Sequence, residues 1–164
     1  EIILQNSNSI FESEAGHRNE HGIEVIIPFL QKVLTEFSIV PLVMGEQDIS
    51  CIGELADKLA LAVNDKTLII ASSDLSHFYD KKTADILDSR AAEQIEKYNY
   101  SELYNDLHNG KCEACGGGPI IAMMKAIDKI KNGKAKILHR SDSGDISGDN
   151  KEVVGYLSAA IYGD

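Results

Sequence analysis

The stretch TLIIASSDLSH, residues 67–77, decides the fold, because the apolar run Thr67-Leu-Ile-Ile-Ala71 leads without a linker into the polar cluster Ser72-Ser-Asp-Leu-Ser-His77. A short run of β-branched and apolar residues predicts a buried strand. Open α/β sheets usually bind ligands beyond the carboxyl ends of their strands. The sequence therefore predicts a buried strand at 67–71 with a functional site directly after it.

Outward from this stretch, helix patterns alternate with strand patterns. Apolar residues spaced by three and four predict helices at 21–36 (with a kink or break at Pro28), 48–63, 82–98, 101–108 and 120–130. Short β-branched runs predict further strands at 38–44, 135–140 and 153–161. No repeat, linker or change of composition divides the chain. We therefore predict one domain over 1–164 of class α/β, built as an αβα layered sheet.

Composition and charge exclude several classes of protein. The 164 residues are 43% hydrophobic and 26% charged, which is ordinary for a globular domain. The 26 acidic against 16 basic residues give a net charge of −10, which repels nucleic acid and anionic lipid. No apolar run reaches the ~20 residues that span a membrane, no signal peptide is recognisable, and three cysteines make no disulfide framework. We expect a cytoplasmic protein without nucleic-acid or membrane partners.

The first candidate motif is His17-Arg-Asn-Glu-His-Gly-Ile-Glu24. His21 and Glu24 are three residues apart and would share one face at the start of a helix. Such a pair can orient a histidine for proton transfer or metal ligation. Acidic residues at helix starts are also common because of the helix dipole. A capping arrangement therefore stays open beside the catalytic interpretation.

The second motif is the polar cluster at 72–77. Asp74 and His77 can converge on a metal or substrate, with the carboxylate raising the basicity of the imidazole. The alternative is that Asp74 caps the next helix and His77 is incidental. A serine hydrolase has little support, because no Gly-x-Ser-x-Gly elbow is present. The position after an apolar strand favours function.

The third motif is Cys112-Glu-Ala-Cys115-Gly-Gly-Gly-Pro119. A CxxC pair can be redox-active or half of a zinc site, but no second pair accompanies it. Consecutive glycines indicate positive φ or a close approach of the backbone to other atoms. A helix that begins here would favour the thiolate of Cys115, as a metal ligand or beside an anion. The alternative is a buried structural cysteine next to a tight turn.

Four stretches together carry a resemblance: EHGIEVIIPFLQ (20–31), SSDLSHF (72–78), ACGGGP (114–119) and SGDISGDNKEVVGY (143–156). In this order they resemble the Memo-like family, also called AmmeMemoRadiSam system protein B, over nearly the whole chain. The resemblance implies a fold related to the catalytic subunit of class III extradiol ring-cleaving dioxygenases. It places His21, Asp74, His77 and Cys115 around a metal-site cleft at the strand ends.

The resemblance also implies which metal ligands to expect. In the family the counterpart of Cys115 binds metal together with two histidines from motifs resembling P-H-A-G and S-H-H, and neither motif occurs in this sequence. The chain therefore resembles the C-terminal three-fifths of a family member, which fits its opening on Glu1. We expect iron or copper in the intact protein, with Cys115 as a ligand and His21, Asp74 and His77 as catalytic residues. This chain alone should bind metal weakly.

Two functions follow from the resemblance. The first is a metal-dependent oxidoreductase of dioxygenase type, and the alternative is a non-catalytic module that captures a peptide or small ligand in the same cleft. The family's association with radical SAM and AMMECR-type proteins implies them as pathway partners. A chain without the first strands of the fold would also expose an apolar sheet edge and self-associate.

Overall fold

The computed structural model describes residues 2–18 and 20–163. Two short 3-10 helices lie at Ile2–Leu4 and Ala15–His17. The α-helices are α1 (Ile27–Val33), α2 (Ile49–Ala62), α3 (Lys81–Glu96), α4 (Tyr100–His108), α5 (Gly117–Ile130) and α6 (Gly144–Ser147). The strands are β1 (His77–Tyr79), β2 (Gly133–Asp142) and β3 (Val153–Gly163). The α/β class predicted from the sequence is confirmed.

The described strands form one antiparallel sheet in the order β1-β3-β2. β2 pairs along its whole length with residues 155–163 of β3, as the strand patterns at 135–140 and 153–161 predict. β1 joins the start of β3, with His77 opposite Val154 and Tyr79 opposite Val153. The long hairpin therefore holds the segment that carries the second motif.

The core lies between α2, α5 and one face of the hairpin. α2 and α5 make the most extensive helix contact, and α3 packs on both long strands. The largest fully buried apolar side chains are Ile52, Leu75, Leu103, Ile121, Met124 and Val153. Leu75 belongs to the predicted site segment, so burying it anchors that segment to the core. Along residues 2–18 and 20–163, no helix is both long and apolar enough to cross a membrane.

The helix signals near Asp48 and Pro28 had different outcomes. The predicted start at Asp48 is confirmed, because its side chain accepts the N–H of Cys51 and caps α2. The prediction of one helix over 21–36 is wrong, since α1 begins only at Ile27 and residues 22–26 form turns. Pro28 lies in the first turn of α1, where its missing N–H costs nothing.

Two predicted strands, 38–44 and 67–71, do not form. Both segments are without assigned strand structure, and neither pairs with any strand that the structure describes. Met44 and Ile69 pack partly against the core, but most of the apolar side chains are exposed, with Val40 75% and Leu68 72% in solvent. Apolar β-branched composition favours a strand, but a ladder forms only where a neighbouring strand supplies the other half of each hydrogen bond.

Candidate functional site

Asp74 and Cys115 meet across 41 residues of sequence. The Asp74 N–H donates to Cys115 Sγ at 3.2 Å, and the Cys115 N–H donates to the Asp74 carbonyl at 3.2 Å. Ser73 Oγ lies 3.6 Å from the same sulfur and accepts the Gly116 N–H at 2.8 Å. The structure thus brings the second and third sequence motifs into direct contact.

The glycines after Cys115 allow this contact. A Cβ on Gly116 would lie 2.6 Å from the Ser72 carbonyl oxygen and 2.8 Å from the Ser73 Cβ, closer than real side chains approach. A Cβ on Gly117 would lie 2.6 Å from a methyl carbon of Leu107. The close approach of the backbone, which the sequence indicates, is therefore what these glycines provide. α5 begins at Gly117, two residues after the thiol.

Gln47 braces the same turn and was missed by the sequence analysis. Its Nε2 donates to the Cys115 carbonyl at 2.7 Å, and its Oε1 accepts the Gly118 N–H at 2.7 Å. One amide therefore satisfies groups on both sides of the glycine turn. A glutamine in the loop before α2 carries no sequence pattern that would have pointed to this contact.

His77 lies beside Asp74 at the start of β1. Its Nε2 is 3.6 Å from Asp74 Oδ2, and both side chains are partly exposed. This separation allows electrostatic orientation of the imidazole by the carboxylate. Asp74 is thus the centre of the arrangement, since its backbone contacts Cys115 while its side chain faces His77.

A cleft of about 400 Å³ opens beside these residues. Its polar lining includes His77, Glu113 and Cys115, and its apolar walls include Leu75, Leu107 and Ile121. A volume in this range suits a small molecule. Glu113 carries no sequence pattern that would single it out, apart from its place between two cysteines.

Cys112 and Cys115 occupy different environments although only two residues separate them. Cys112 is buried and Cys115 is exposed, and both are free thiols. Burial raises the pKa of the Cys112 thiol to about 11, so that this thiol stays protonated at neutral pH. This difference disfavours a CxxC redox couple and leaves Cys115 as the accessible sulfur of the pair.

His21 lies apart from this cluster. Its Nδ1 is 2.9 Å from Glu24 Oε1, and its side chain is 78% exposed. A Cβ on the neighbouring Gly22 would lie 3.4 Å from Ser72 Oγ, which places this loop against the start of the second motif. In the part of the chain that the structure describes, no hydrogen bond or ion pair joins His21 to Asp74, His77 or Cys115.

The donor set can be tested for its fit to a metal ion. Among residues 2–18 and 20–163, no three His, Cys, Asp or Glu side chains come together closely enough to hold one. Asp74 contacts both His77 and Cys115, but the three side chains do not form a metal-binding group. A non-haem iron site of three protein ligands is therefore not complete within these residues.

Comparison with known proteins identifies the family. The family model described as Memo-like protein matches residues 1–160. The chain belongs to the Memo-like family. This family is related in fold to the extradiol dioxygenases.

Archaeal and bacterial relatives support the assignment. This Memo-like chain is 41% identical over 155 residues to a MEMO1 family protein of Methanocaldococcus jannaschii, covering 90% of this chain and 54% of the relative. It is 42% identical over 164 residues to a MEMO1 family protein of Thermotoga maritima, covering 99% of this chain and 58% of that relative. It is 35% identical over 159 residues to a MEMO1 family protein of Thermoplasma acidophilum, covering 96% of this chain and 59% of that relative. The chain thus spans between one half and three-fifths of these relatives.

Proposed function

We propose that this chain supplies one wall of a metal-dependent redox site in an intact Memo-like protein, with Cys115 as its metal ligand. His77 and Cys115 come from two separate motifs, line one cleft and both contact Asp74, and this arrangement carries the proposal. The sulfur is exposed, accepts the Asp74 N–H at 3.2 Å and lines the cleft, so that a metal ion in the cleft could reach it. Thiolate and imidazole ligands suit iron and copper.

The other ligands of this site would come from outside the present sequence. The family resemblance implies two histidines in motifs resembling P-H-A-G and S-H-H, and the sequence contains neither. Three protein ligands with open positions would then make a centre that supports oxidoreductase chemistry of the dioxygenase type. Because its own residues do not fit a complete centre, we propose that this chain alone binds metal weakly.

Asp74 and His77 would move protons in this site. The carboxylate lies 3.6 Å from Nε2 and orients a ring that lines the cleft. His77 would then act as acid or base toward a ligand held there. We propose the same class of role for His21 in the intact protein, since the adjacent Gly22 lies close to Ser72 at the start of the second motif.

The proposal is tested by metal analysis of the intact protein that contains this chain, loaded with iron or copper. Cys115 is replaced by serine, and Cys51, a free cysteine outside the cleft lining, is replaced by serine in the control. We expect the metal content to fall strongly only in the first variant. Equal metal content in both variants removes Cys115 as a ligand.

A second candidate function is a non-catalytic module that captures a small ligand or peptide in the same cleft. Two observations favour it: the apolar walls formed by Leu75, Leu107 and Ile121, and the lack of a three-ligand group among the described residues. Oxygen consumption separates the two functions. The redox site predicts that iron-loaded full-length protein consumes oxygen with an electron-rich, catechol-like substrate, whereas the binding module predicts binding alone.

Pathway partners are proposed on the family resemblance alone. We propose that a radical SAM protein and an AMMECR-type protein act in the same pathway as the intact protein. Affinity purification of tagged full-length protein from its own cells tests this. Recovery of neither protein, under conditions in which both are expressed, contradicts a stable complex.

A further inference from the structure

Phe78 adopts a backbone conformation that residues with a Cβ rarely take. Its φ is +63°, in the left-handed region that favours glycine. The pairing of His77 with Val154 and of Tyr79 with Val153 leaves Phe78 as the extra residue of a β-bulge. Bulges often lie beside functional sites, where they re-aim side chains. Here the bulge directly follows His77.

Two other non-glycine residues with positive φ provide a comparison. Asn6 is of a type that tolerates this region. Tyr98, at φ 57°, has compensating contacts: its hydroxyl donates to the Met124 carbonyl at 2.7 Å, and its ring lies where a Cβ on Gly133 would be. A strained backbone persists where surrounding contacts over-determine it, and Tyr98 shows such contacts.

The Phe78 side chain makes no comparable contacts within the described structure. Its ring is 75% exposed, and its aromatic neighbour is His77, with ring centroids 5.8 Å apart. Exposed single aromatic residues are common, but an exposed aromatic ring on a strained backbone gains nothing from the fold. A contact between the Phe78 ring and a bound molecule would account for both the exposed ring and the strained backbone.

The residues on either side of Phe78 are anchored at the cleft. His77 lines it, and the Tyr79 hydroxyl donates to Glu113 Oε1, in the cleft lining, at 2.7 Å. Phe78 is therefore held between two fixed points at the edge of the cleft. Phe78 is not itself part of the lining, but its ring centroid lies 5.8 Å from that of His77, so the ring borders the cleft at this residue.

We propose that Phe78 is a ligand-contact residue that packs its ring against a planar, uncharged small molecule in the cleft. The proposal rests on the cleft being the binding site, as inferred above. The apolar walls formed by Leu75, Leu107 and Ile121 suit a ring system. Neither lysine nor arginine is part of the lining, and Glu113 contributes a carboxylate, so an anionic ligand is disfavoured.

The test uses phenol as a planar probe and cyclohexanol as its non-planar match, with the 164-residue chain. Binding is followed by NMR through the Cys115 amide and His77 imidazole signals. We expect phenol to shift both signals saturably and more tightly than cyclohexanol. Phe78→Gly should weaken phenol binding roughly 2- to 10-fold, the effect of losing one aromatic contact. Phe78→Trp should retain binding.

Two controls separate binding from folding. Phe29→Ala removes an equally exposed ring, 73% in solvent, from α1, which contributes no residue to the cleft lining, and should leave phenol binding unchanged. Phe78→Gly relieves the positive φ, so its thermal midpoint should equal or exceed that of the wild type. A lower midpoint would mean that the ring supports the fold, which overturns the proposal.

Two binding results also overturn it. One is that phenol leaves the wild-type signals unchanged, and the other is that Phe78→Gly binds phenol as tightly as the wild type. The second result would assign the ring to contact with another polypeptide. Both outcomes are independent of the metal analysis, because phenol binding to this chain needs no metal. Failure of the Phe78 contact and failure of the proposed metal site are therefore distinguishable.

Discussion

Asp88 fills the space where a side chain on Gly155 would be, because a Cβ built on Gly155 lies 1.9 Å from Asp88 Oδ2. Asp88 is a buried carboxylate whose Oδ1 accepts the Ser76 N–H at 3.0 Å. The Gly155 N–H donates to the Ser76 carbonyl at 2.9 Å. This contact between α3 and β3 therefore fixes the backbone immediately before His77.

Gly155→Ala should destabilise the fold by about 1–3 kcal/mol, since the new methyl group must displace the Asp88 carboxylate in a packed region. Urea denaturation measures the free energy of unfolding. Gly45→Ala is the matched control, because a Cβ there meets nothing within 4 Å. Equal stability of the two variants contradicts the close contact at Gly155.

The pH dependence of stability should carry a contribution from Asp88. Burial raises the pKa of its carboxyl above the ordinary 3.8, so the folded chain binds this proton more tightly than the unfolded chain. The contribution is therefore present below pH 3.8 and is lost as pH rises through the raised pKa. Asp88→Asn keeps an oxygen that can accept the Ser76 N–H, and it should abolish this pH-dependent contribution to stability.

The measurement is the difference in unfolding free energy between wild type and Asp88→Asn at several pH values above 3.8. The stability of the wild type relative to the variant should decline as pH rises. Asp65→Asn, at an exposed loop position, is the control. A relative stability that increases with pH would show that Asp88 is stabilised, not destabilised, as a carboxylate.

Alkylation should distinguish the two neighbouring thiols. Iodoacetamide at pH 8 should modify Cys115 in the folded chain and leave Cys112 unmodified, because Cys112 is buried and its thiol has a pKa of about 11. Mass spectrometry of proteolytic peptides locates the label. In urea both cysteines should react, and labelling of Cys112 at the same rate as Cys115 without urea contradicts the buried position.

The Arg90–Asp106 pair should contribute strongly to stability. Asp106 is fully buried, and Arg90 Nε donates to its Oδ2 at 2.5 Å. Arg90→Met leaves this carboxylate with Lys111, 3.4 Å away, and should cost about 3 kcal/mol. Lys97→Met removes an exposed partner of Glu93 and should cost less than about 1 kcal/mol in the same denaturation measurement. Equal losses of unfolding free energy in the two variants would contradict the expectation that the buried pair contributes more than the exposed one.

Self-association is expected through the segment 38–44. This segment has no assigned secondary structure, forms no ladder with any described strand, and leaves Val40 exposed. Light scattering should show a mean mass that increases with concentration. Val40→Lys should shift the chain toward monomer, whereas Leu61→Lys, on the exposed side of α2, should not. A concentration-independent monomer mass for the wild type contradicts the expectation.

Local patterns predicted much of the fold. α2, α3, α4 and α5 lie where apolar spacing predicts them, because a helix closes its hydrogen bonds within a few residues. The hairpin of β2 and β3 also lies where expected, since both halves are close in sequence. The strands predicted at 38–44 and 67–71 depend on distant partners, so apolar composition alone could not show whether they form.

The sequence by itself determined the family, the helices and hairpin, and the motifs that carry His21, Asp74, His77 and Cys115. Only the tertiary structure decided that Asp74 contacts Cys115 while His21 stays apart, and that Gln47 and Asp88 brace the site. These are contacts between side chains far apart in sequence. They depend on how helices and strands pack in space, whereas motifs and helix patterns depend on residue order and short-range spacing.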